Sequence, residues 1–183
     1  MKTEFQVKLL QHMVRKKENQ GFTLIELLVV IIIIGILAAI ALPSFLNQAN
    51  KAKQAEARTN VGSMNRAQQA YYLEKNEFAE QSNFGNLGLG IKTETTNYKY
   101  SISGGGKGVT GVSNLATTTT GTVAPLKDYV GAVNVGTVTN TSEATTLGVL
   151  CEADKPRSAG GAAAVAGTYN QTGPTCPGGF TAL

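Results

Sequence analysis

An apolar run near the N-terminus constrains this 183-residue chain more than any other feature. Residues 27–42 read LLVVIIIIGILAAIAL, sixteen positions without a charge. As a helix they extend about 24 Å, and residues 22–25 lengthen the segment to roughly 30 Å, the thickness of the hydrocarbon core of a bilayer. The run therefore predicts a membrane-spanning helix, and it excludes a single uniform soluble domain.

The positive charge of the chain is concentrated before that run. The formal net charge is +4, but residues 1–21 alone carry a net charge of +3 and the remaining residues only +1. The basic residues of this segment are Lys2, Lys8, Arg15, Lys16 and Lys17. A basic segment before an apolar helix keeps that end in the cytoplasm. Because the rest of the chain is nearly neutral, we expect no specific nucleic-acid site.

Three interpretations of residues 1–46 compete, and Glu26 separates them. A secretory signal peptide could be cut near Ala38–Ala41, where small residues alternate. A plain transmembrane anchor has the right length. Both leave Glu26 unexplained, because a carboxylate within an apolar span costs about 2.5–3.5 kcal/mol on insertion scales. A third interpretation must give this carboxylate a partner.

The residues around Glu26 supply that interpretation. Residues 16–27 read KKENQGFTLIEL, a basic leader that ends in Gly21 and is followed by Phe-Thr-Leu-Ile-Glu and the apolar run up to Pro43. This segment resembles the type IV pilin family, including major pilins of the cyanobacterial kind, and the related type II secretion pseudopilins of the G and H type. The resemblance covers roughly residues 15–75.

The resemblance implies how the N-terminus is processed. A membrane peptidase would cut between Gly21 and Phe22 and methylate the new amine of Phe22, leaving 162 residues. The single histidine, His12, would leave with the leader, so the mature chain would have no imidazole for catalysis or metal binding.

The new ammonium also gives Glu26 a partner. An amine and a carboxylate in a low-dielectric helix bundle are each costly, but they compensate each other. The resemblance implies that Glu26 pairs with the amine of a neighbouring subunit and sets the axial register of assembly. The alternative is an acid at a helix N-terminus that the helix dipole stabilises.

Gly35 and Pro43 interrupt the apolar stretch. Proline removes an intrahelical hydrogen bond, and glycine lowers helix propensity by about 1 kcal/mol. The resemblance implies that the segment between these residues unwinds in assembled pili. The alternative is a mild kink.

Beyond Pro43 the pattern changes to a polar helix with one apolar face. The apolar positions recur at steps of four, three, three and four residues: Ala57, Val61, Met64, Ala67 and Tyr71. We expect one helix from about residue 22 to residue 74. The chain would comprise a cleaved leader (1–21), an apolar half-helix that is first a membrane anchor and then a filament core (22–50), and a globular domain (51–183).

The C-terminal part predicts a small β-sheet. Residues 98–102 alternate polar with apolar side chains before a glycine-rich turn at 104–108, and 128–133 and 146–150 are further candidate strands. Thr117–Thr120 suggests a loop or an edge. Short strands with glycine turns predict an antiparallel sheet laid on the polar half of the helix, an α+β arrangement. The resemblance implies that this arrangement is the pilin fold.

Cys151 and Cys176 predict a structural disulfide that closes a C-terminal loop. They lie 25 residues apart, outside any CxxC motif, and on the extracytoplasmic side of the expected topology. Such a bond would stabilise the domain by about 3 kcal/mol. Pilins commonly close a loop in this way, whereas major pseudopilins usually do not.

No sequence motif indicates an enzyme, a cofactor or a metal site. Residues 104–108 lack the ending of a phosphate-binding loop, and Glu152 with Asp154 provides too few oxygens for Ca²⁺. The resemblance implies a structural subunit of a type IV pilus (fimbrium). It would be a single-pass inner-membrane precursor that assembles with copies of itself at the cell surface.

Membrane lipid, prepilin peptidase and the pilus assembly machinery would be its other partners. Twitching motility, adhesion and DNA uptake are the functions that the resemblance implies. The alternatives are a type II secretion pseudopilin and a membrane-tethered extracytoplasmic binding module.

Overall fold

The computed structural model describes Val7 and residues 21–137 and 144–183. The basic side chains of the leader and His12 lie outside the described residues. Packing divides the chain into two compact units, residues 1–46 and 47–183.

Helix α1 runs from Leu24 to Lys75, which confirms the predicted single helix to within two residues. It continues without a break through Gly35 and Pro43. In the first unit every residue from Gly21 to Leu46 is exposed. This half of α1 is the one described segment that is long and apolar enough to cross a membrane.

The second unit contains an antiparallel sheet of five strands: β1 (Tyr98–Gly104), β2 (Gly111–Thr118), β3 (Tyr129–Thr137), β4 (Ala144–Ala153) and β7 (Phe180–Ala182). They pair in the order β1-β2-β3-β4-β7. A separate hairpin is formed by β5 (Thr168–Asn170) and β6 (Gly173–Thr175). Short 3₁₀ helices span Gln81–Leu87, Gly121–Val123 and Arg157–Ala159. The candidate strands predicted at 98–102, 128–133 and 146–150 correspond to β1, β3 and β4.

The alternation in β1 produces the predicted burial. Tyr98, Tyr100 and Ile102 are buried, and the residues between them are exposed or half-buried. The glycine turn that follows is a hairpin between β1 and β2, as predicted. Gly105 has a φ of 88°, and a Cβ there would lie 2.7 Å from the carbonyl oxygen of Ala79, so only glycine fits.

Strand β2 was not predicted. The expectation of a loop or edge is wrong for Thr117 and Thr118 but fits Thr119 and Thr120, which form a turn. Thr117 and Thr118 end β2, which is an inner strand of the sheet, and pair with Lys99 and Tyr98. Every residue of β2 is buried or half-buried, so the strand lacks the polar alternation that marks a one-sided sheet.

The predicted apolar face of α1 packs on one face of the sheet. Ala57, Val61 and Met64 are fully buried, and Ala67 and Tyr71 pack against the same core. The helix lies close to β3, because a Cβ on Gly131 would overlap the side chains of Asn65 and Val61.

Sequence reasoning missed the polar part of this contact. Asn65 donates to the carbonyl oxygen of Val149 at 2.9 Å and accepts from the Asn114 amide at 2.9 Å. One helix side chain therefore bonds to both β2 and β4 across the packed face.

The C-terminal segment covers the opposite face of the sheet. The predicted disulfide between Cys151 and Cys176 is present, with a Cα–Cα distance of 5.8 Å. A second small apolar cluster surrounds it, formed by Val130, Cys151, Ala153, Ala164 and Phe180. The domain thus has three layers, and the fold class predicted from sequence is confirmed.

Candidate processing and assembly site

The predicted cleavage point lies immediately before the helix. Gly21, Phe22 and Thr23 are non-helical, α1 begins at Leu24, and Phe22 is 85% exposed. An exposed, irregular backbone is the conformation that proteases cut most readily. A Cβ on Gly21 would meet nothing within 4 Å, so packing within the chain does not explain this glycine.

Glu26 and Thr23 form a reciprocal cap at the start of α1. Glu26 Oε2 accepts from the Thr23 amide at 2.8 Å and from Thr23 Oγ1 at 2.7 Å. Thr23 Oγ1 in turn accepts from the Glu26 amide at 3.3 Å. This is a capping box, which satisfies amide groups that the first turn of a helix leaves without partners.

The cap makes Thr23 a candidate functional residue that the sequence analysis missed. The signal was readable, because a Thr-x-x-Glu pattern directly before an apolar run is the usual sign of a capping box. The alternative in which Glu26 stabilises the helix N-terminus therefore takes the form of this capping box. Both hydrogen bonds use Oε2, so the described contacts leave Glu26 Oε1 for an ammonium. Capping and pairing are compatible.

Gly35 and Pro43 both lie at exposed positions in the apolar half of α1. A Cβ on Gly35 would meet nothing within 4 Å. Pro43 has no amide hydrogen, so the carbonyl oxygen of Ala39 loses its intrahelical donor. The helix tolerates both residues here without unwinding, and unwinding in an assembled state remains a prediction.

The acidic residues near the disulfide are engaged by neighbouring side chains. Glu152 forms an ion pair with Lys127 at 2.5 Å and accepts from the Tyr129 hydroxyl at 3.0 Å. Asp154 accepts from Thr181 Oγ1 at 2.7 Å. Across residues 21–137 and 144–183, no group of three or more His, Cys, Asp or Glu side chains gathers where a metal ion could bind.

Comparison with known proteins decides the family. The type IV pilin-like G and H family profile matches residues 54–177, and a prokaryotic N-terminal methylation motif matches residues 16–42. The chain belongs to the type IV pilin-like G and H family. Its resemblance to type IV pilins, stated from the sequence, is confirmed. The methylation motif encloses Gly21, Phe22 and Glu26.

Relatives of this pilin-like chain come from both pilus and secretion systems. It is 43% identical over 86 residues to the type IV major pilin protein PilA of Myxococcus xanthus, covering 46% of this chain and 37% of that protein. It is 34% identical over 86 residues to the type IV wide pilus major component PilA4 of Thermus thermophilus, covering 47% and 65%.

The type II secretion system core protein G of Aeromonas hydrophila is 36% identical over 64 residues, covering 35% of this chain and 45% of that protein. The matches thus span less than two thirds of each of these three relatives. No solved structure matches the chain.

Proposed function

We propose that this pilin-like chain is a structural subunit of a type IV pilus and not an enzyme. The observation that carries the proposal is the N-terminal half of α1, which is apolar and exposed along its whole length and has one carboxylate at its start. The methylation motif covers the same segment. Such a surface requires a lipid environment or other helices around it.

The proposed pathway begins with cleavage between Gly21 and Phe22 at the cytoplasmic face. Residues 22–50 would then hold the mature chain in the inner membrane, with residues 51–183 on the extracytoplasmic side. The prepilin peptidase and a pilus assembly machinery would be its partners in these steps. Copies of the chain would finally form the filament at the cell surface.

Transfer from the membrane into a filament gains little from the hydrophobic effect, because lipid tails are as apolar as the helices. Van der Waals packing between helices and the pairing of charges must therefore supply the free energy that favours the filament. Glu26 and the Phe22 amine are the charges available at the start of α1. Their pairing between neighbouring copies would stabilise the assembled state and fix its register.

The cap on Glu26 refines this proposal. Because Thr23 holds Glu26 Oε2, the carboxylate has a restricted rotamer and Oε1 is left outside the cap. A neighbouring ammonium would then meet a carboxylate that has already lost part of its side-chain entropy.

Electron microscopy and mass spectrometry test the function together. A strain that lacks this chain should have no filaments of the corresponding type, and the wild-type chain should restore them. The N-terminus of sheared filaments should be N-methyl-Phe22. An intact leader, or a new end near Ala41, would refute the processing step.

A type II secretion pseudopilin is the second candidate, favoured by the relatives named core protein G. In that case the deletion would abolish secretion of exoproteins and leave surface filaments unchanged. A membrane-tethered binding module would affect neither filaments nor secretion. Motility, adhesion and DNA uptake in the same strain would then show which activities the pilus serves.

A further inference from the structure

The second unit contains a polar groove of about 550 Å³ that none of the expected functions uses. One wall is the first part of this unit's helix, with Asn50, Lys51, Gln54 and Arg58. The opposite wall includes Lys127 and Glu152. We call this feature the basic groove.

The charges of the basic groove do not balance. Lys127 and the Tyr129 hydroxyl both contact Glu152, the one acid among the described residues that line the groove. The second described ion pair, between Arg157 and Asp128, lies outside the groove lining. Among the described residues, Lys51 and Arg58 are in no ion pair, so the groove has two excess positive charges.

The place of the basic groove in the chain points to its ligand. Asn47 lines the groove and directly follows Leu46, the last residue of the apolar segment. Lys51 follows five residues after Leu46. If the apolar segment spans the membrane, Asn47 lies at the level of the headgroups and Lys51 lies about 6 Å further along α1. A basic side chain this close to the membrane surface attracts anionic lipid.

We propose that the basic groove binds the phosphate of an anionic phospholipid headgroup in the extracytoplasmic leaflet. The Arg58 guanidinium can donate two parallel hydrogen bonds to phosphate oxygens, and the Lys51 ammonium adds a point charge. Asn50 and Gln54 carry amide donors for a glycerol hydroxyl. The proposal rests on the membrane anchoring in the proposed function and not on filament assembly.

The proposal assigns lipid a role before assembly. A subunit held by a headgroup would keep the start of its globular domain against the bilayer. Extraction into a filament would have to break these contacts, so the content of anionic lipid would affect how readily subunits leave the membrane.

Native mass spectrometry of the full chain in non-ionic detergent tests the binding. The probes are short-chain phosphatidylglycerol, short-chain phosphatidylcholine and glycerol phosphate, which separates a lipid site from a simple phosphate site. The test variant is Lys51→Gln with Arg58→Gln. The matched control is Lys53→Gln, because Lys53 is exposed on the same stretch of helix but does not line the groove.

We expect phosphatidylglycerol to bind in preference to both other probes. Each removed charge should weaken the affinity for phosphatidylglycerol about fivefold, so that the affinity of the double variant falls about 25-fold. Lys53→Gln should bind like the wild type, and circular dichroism should show all variants folded.

Four results would overturn the proposal. These are equal binding of phosphatidylcholine, equal binding of glycerol phosphate, the same loss in Lys53→Gln, and a dimer whose formation requires Lys51 and Arg58. The last result would assign the groove to a second copy of the chain. Lipid binding can fail in this test while filaments still form, so the outcome is separable from the pilus function.

Discussion

The two halves of α1 share one backbone conformation but differ in where their partners lie. From Leu24 to Leu46 the side chains are exposed on every side, although nearly all are apolar. From Asn47 to Lys75 the helix is mostly polar, and its apolar stripe is buried against the sheet. The first half therefore needs partners outside the chain, whereas the second half finds them within its own domain.

Two glycines show the same difference at single positions. A Cβ on Gly131 would overlap the helix that packs on β3, so the fold of the second unit itself explains this glycine. A Cβ on Gly35 would meet nothing. In an isolated chain Gly35 costs about 1 kcal/mol of helix propensity without a compensating contact. In the proposed function, the membrane or neighbouring copies would supply that contact.

The largest expected effect concerns Glu26 in the first half. Glu26→Val should insert into the membrane and accumulate there, but filament yield should fall by about 100-fold or more. The reason is that an ammonium left unpaired in a bundle costs about 3–5 kcal/mol. Quantitative immunoblots of sheared filaments and membranes measure both quantities.

Two further variants separate pairing from capping at Glu26. Glu26→Gln keeps an oxygen that can accept from Thr23 but loses the charge. Thr23→Ala keeps the charge and removes the hydroxyl from the cap, so that only the hydrogen bond from the residue 23 amide to Glu26 Oε2 remains. If pairing governs assembly, Glu26→Gln should fail like the valine variant and Thr23→Ala should assemble. Normal yield from Glu26→Gln would limit the carboxylate to its capping role.

In the second unit, the largest effect should come from the disulfide. Replacing both Cys151 and Cys176 with Ser should lower the free energy of unfolding by about 2–4 kcal/mol. The reason is that the unfolded chain regains the conformational entropy that the cross-link removes. Chemical denaturation of the domain measures the loss. Peptide mapping without reductant provides the control, and free thiols in the wild-type chain would contradict the account.

Substituting Gly131 or Gly35 with Ala should have smaller effects, and the two substitutions should change stability in opposite directions. Gly131→Ala should destabilise the domain by about 1–3 kcal/mol, since the added methyl overpacks the contact with Asn65 and Val61. Gly35→Ala should leave domain unfolding unchanged and favour the helix by about 1 kcal/mol. Equal unfolding curves for Gly131→Ala and the wild type would contradict the tight helix–sheet contact.

The smallest effect at neutral pH concerns the buried tyrosines of the second unit. Burial raises the pKa of Tyr100 to about 12 and also raises the pKa values of Tyr98 and Tyr129. A raised tyrosine pKa adds stability that is complete below the ordinary value near 10 and is lost as the pH rises above it. Stability should therefore fall between about pH 10 and pH 12. Tyrosinate absorbance of these side chains that rises at pH 10 without unfolding would contradict the burial.

The comparison also explains what the sequence could predict. The apolar run, the stripe from Ala57 to Tyr71 and the two cysteines are local or strongly periodic signals, and each was confirmed in the fold. Strand β2 was missed because both of its faces are covered, which removes the alternation of polar and apolar residues. Ser113 and Asn114 are both fully buried in it, and nothing local marks them as inward-facing.

The third layer was missed for a related reason. The C-terminal segment packs on the sheet through contacts between distant residues, such as the hydrogen bond of 2.5 Å between Ser113 and Tyr169. Such pairs leave no periodic trace in the sequence. The capping box of Thr23 and Glu26 was readable, in contrast, because its residues are three positions apart.

The most direct test of the division between the two halves is the behaviour of residues 51–183 expressed alone in an oxidising host. The fragment retains the buried stripe, the sheet and the disulfide, and it lacks the exposed apolar half-helix. Analytical ultracentrifugation with circular dichroism should find a folded monomer with mixed helix and strand signal. An unfolded fragment, or a folded fragment that still polymerises, would contradict the account.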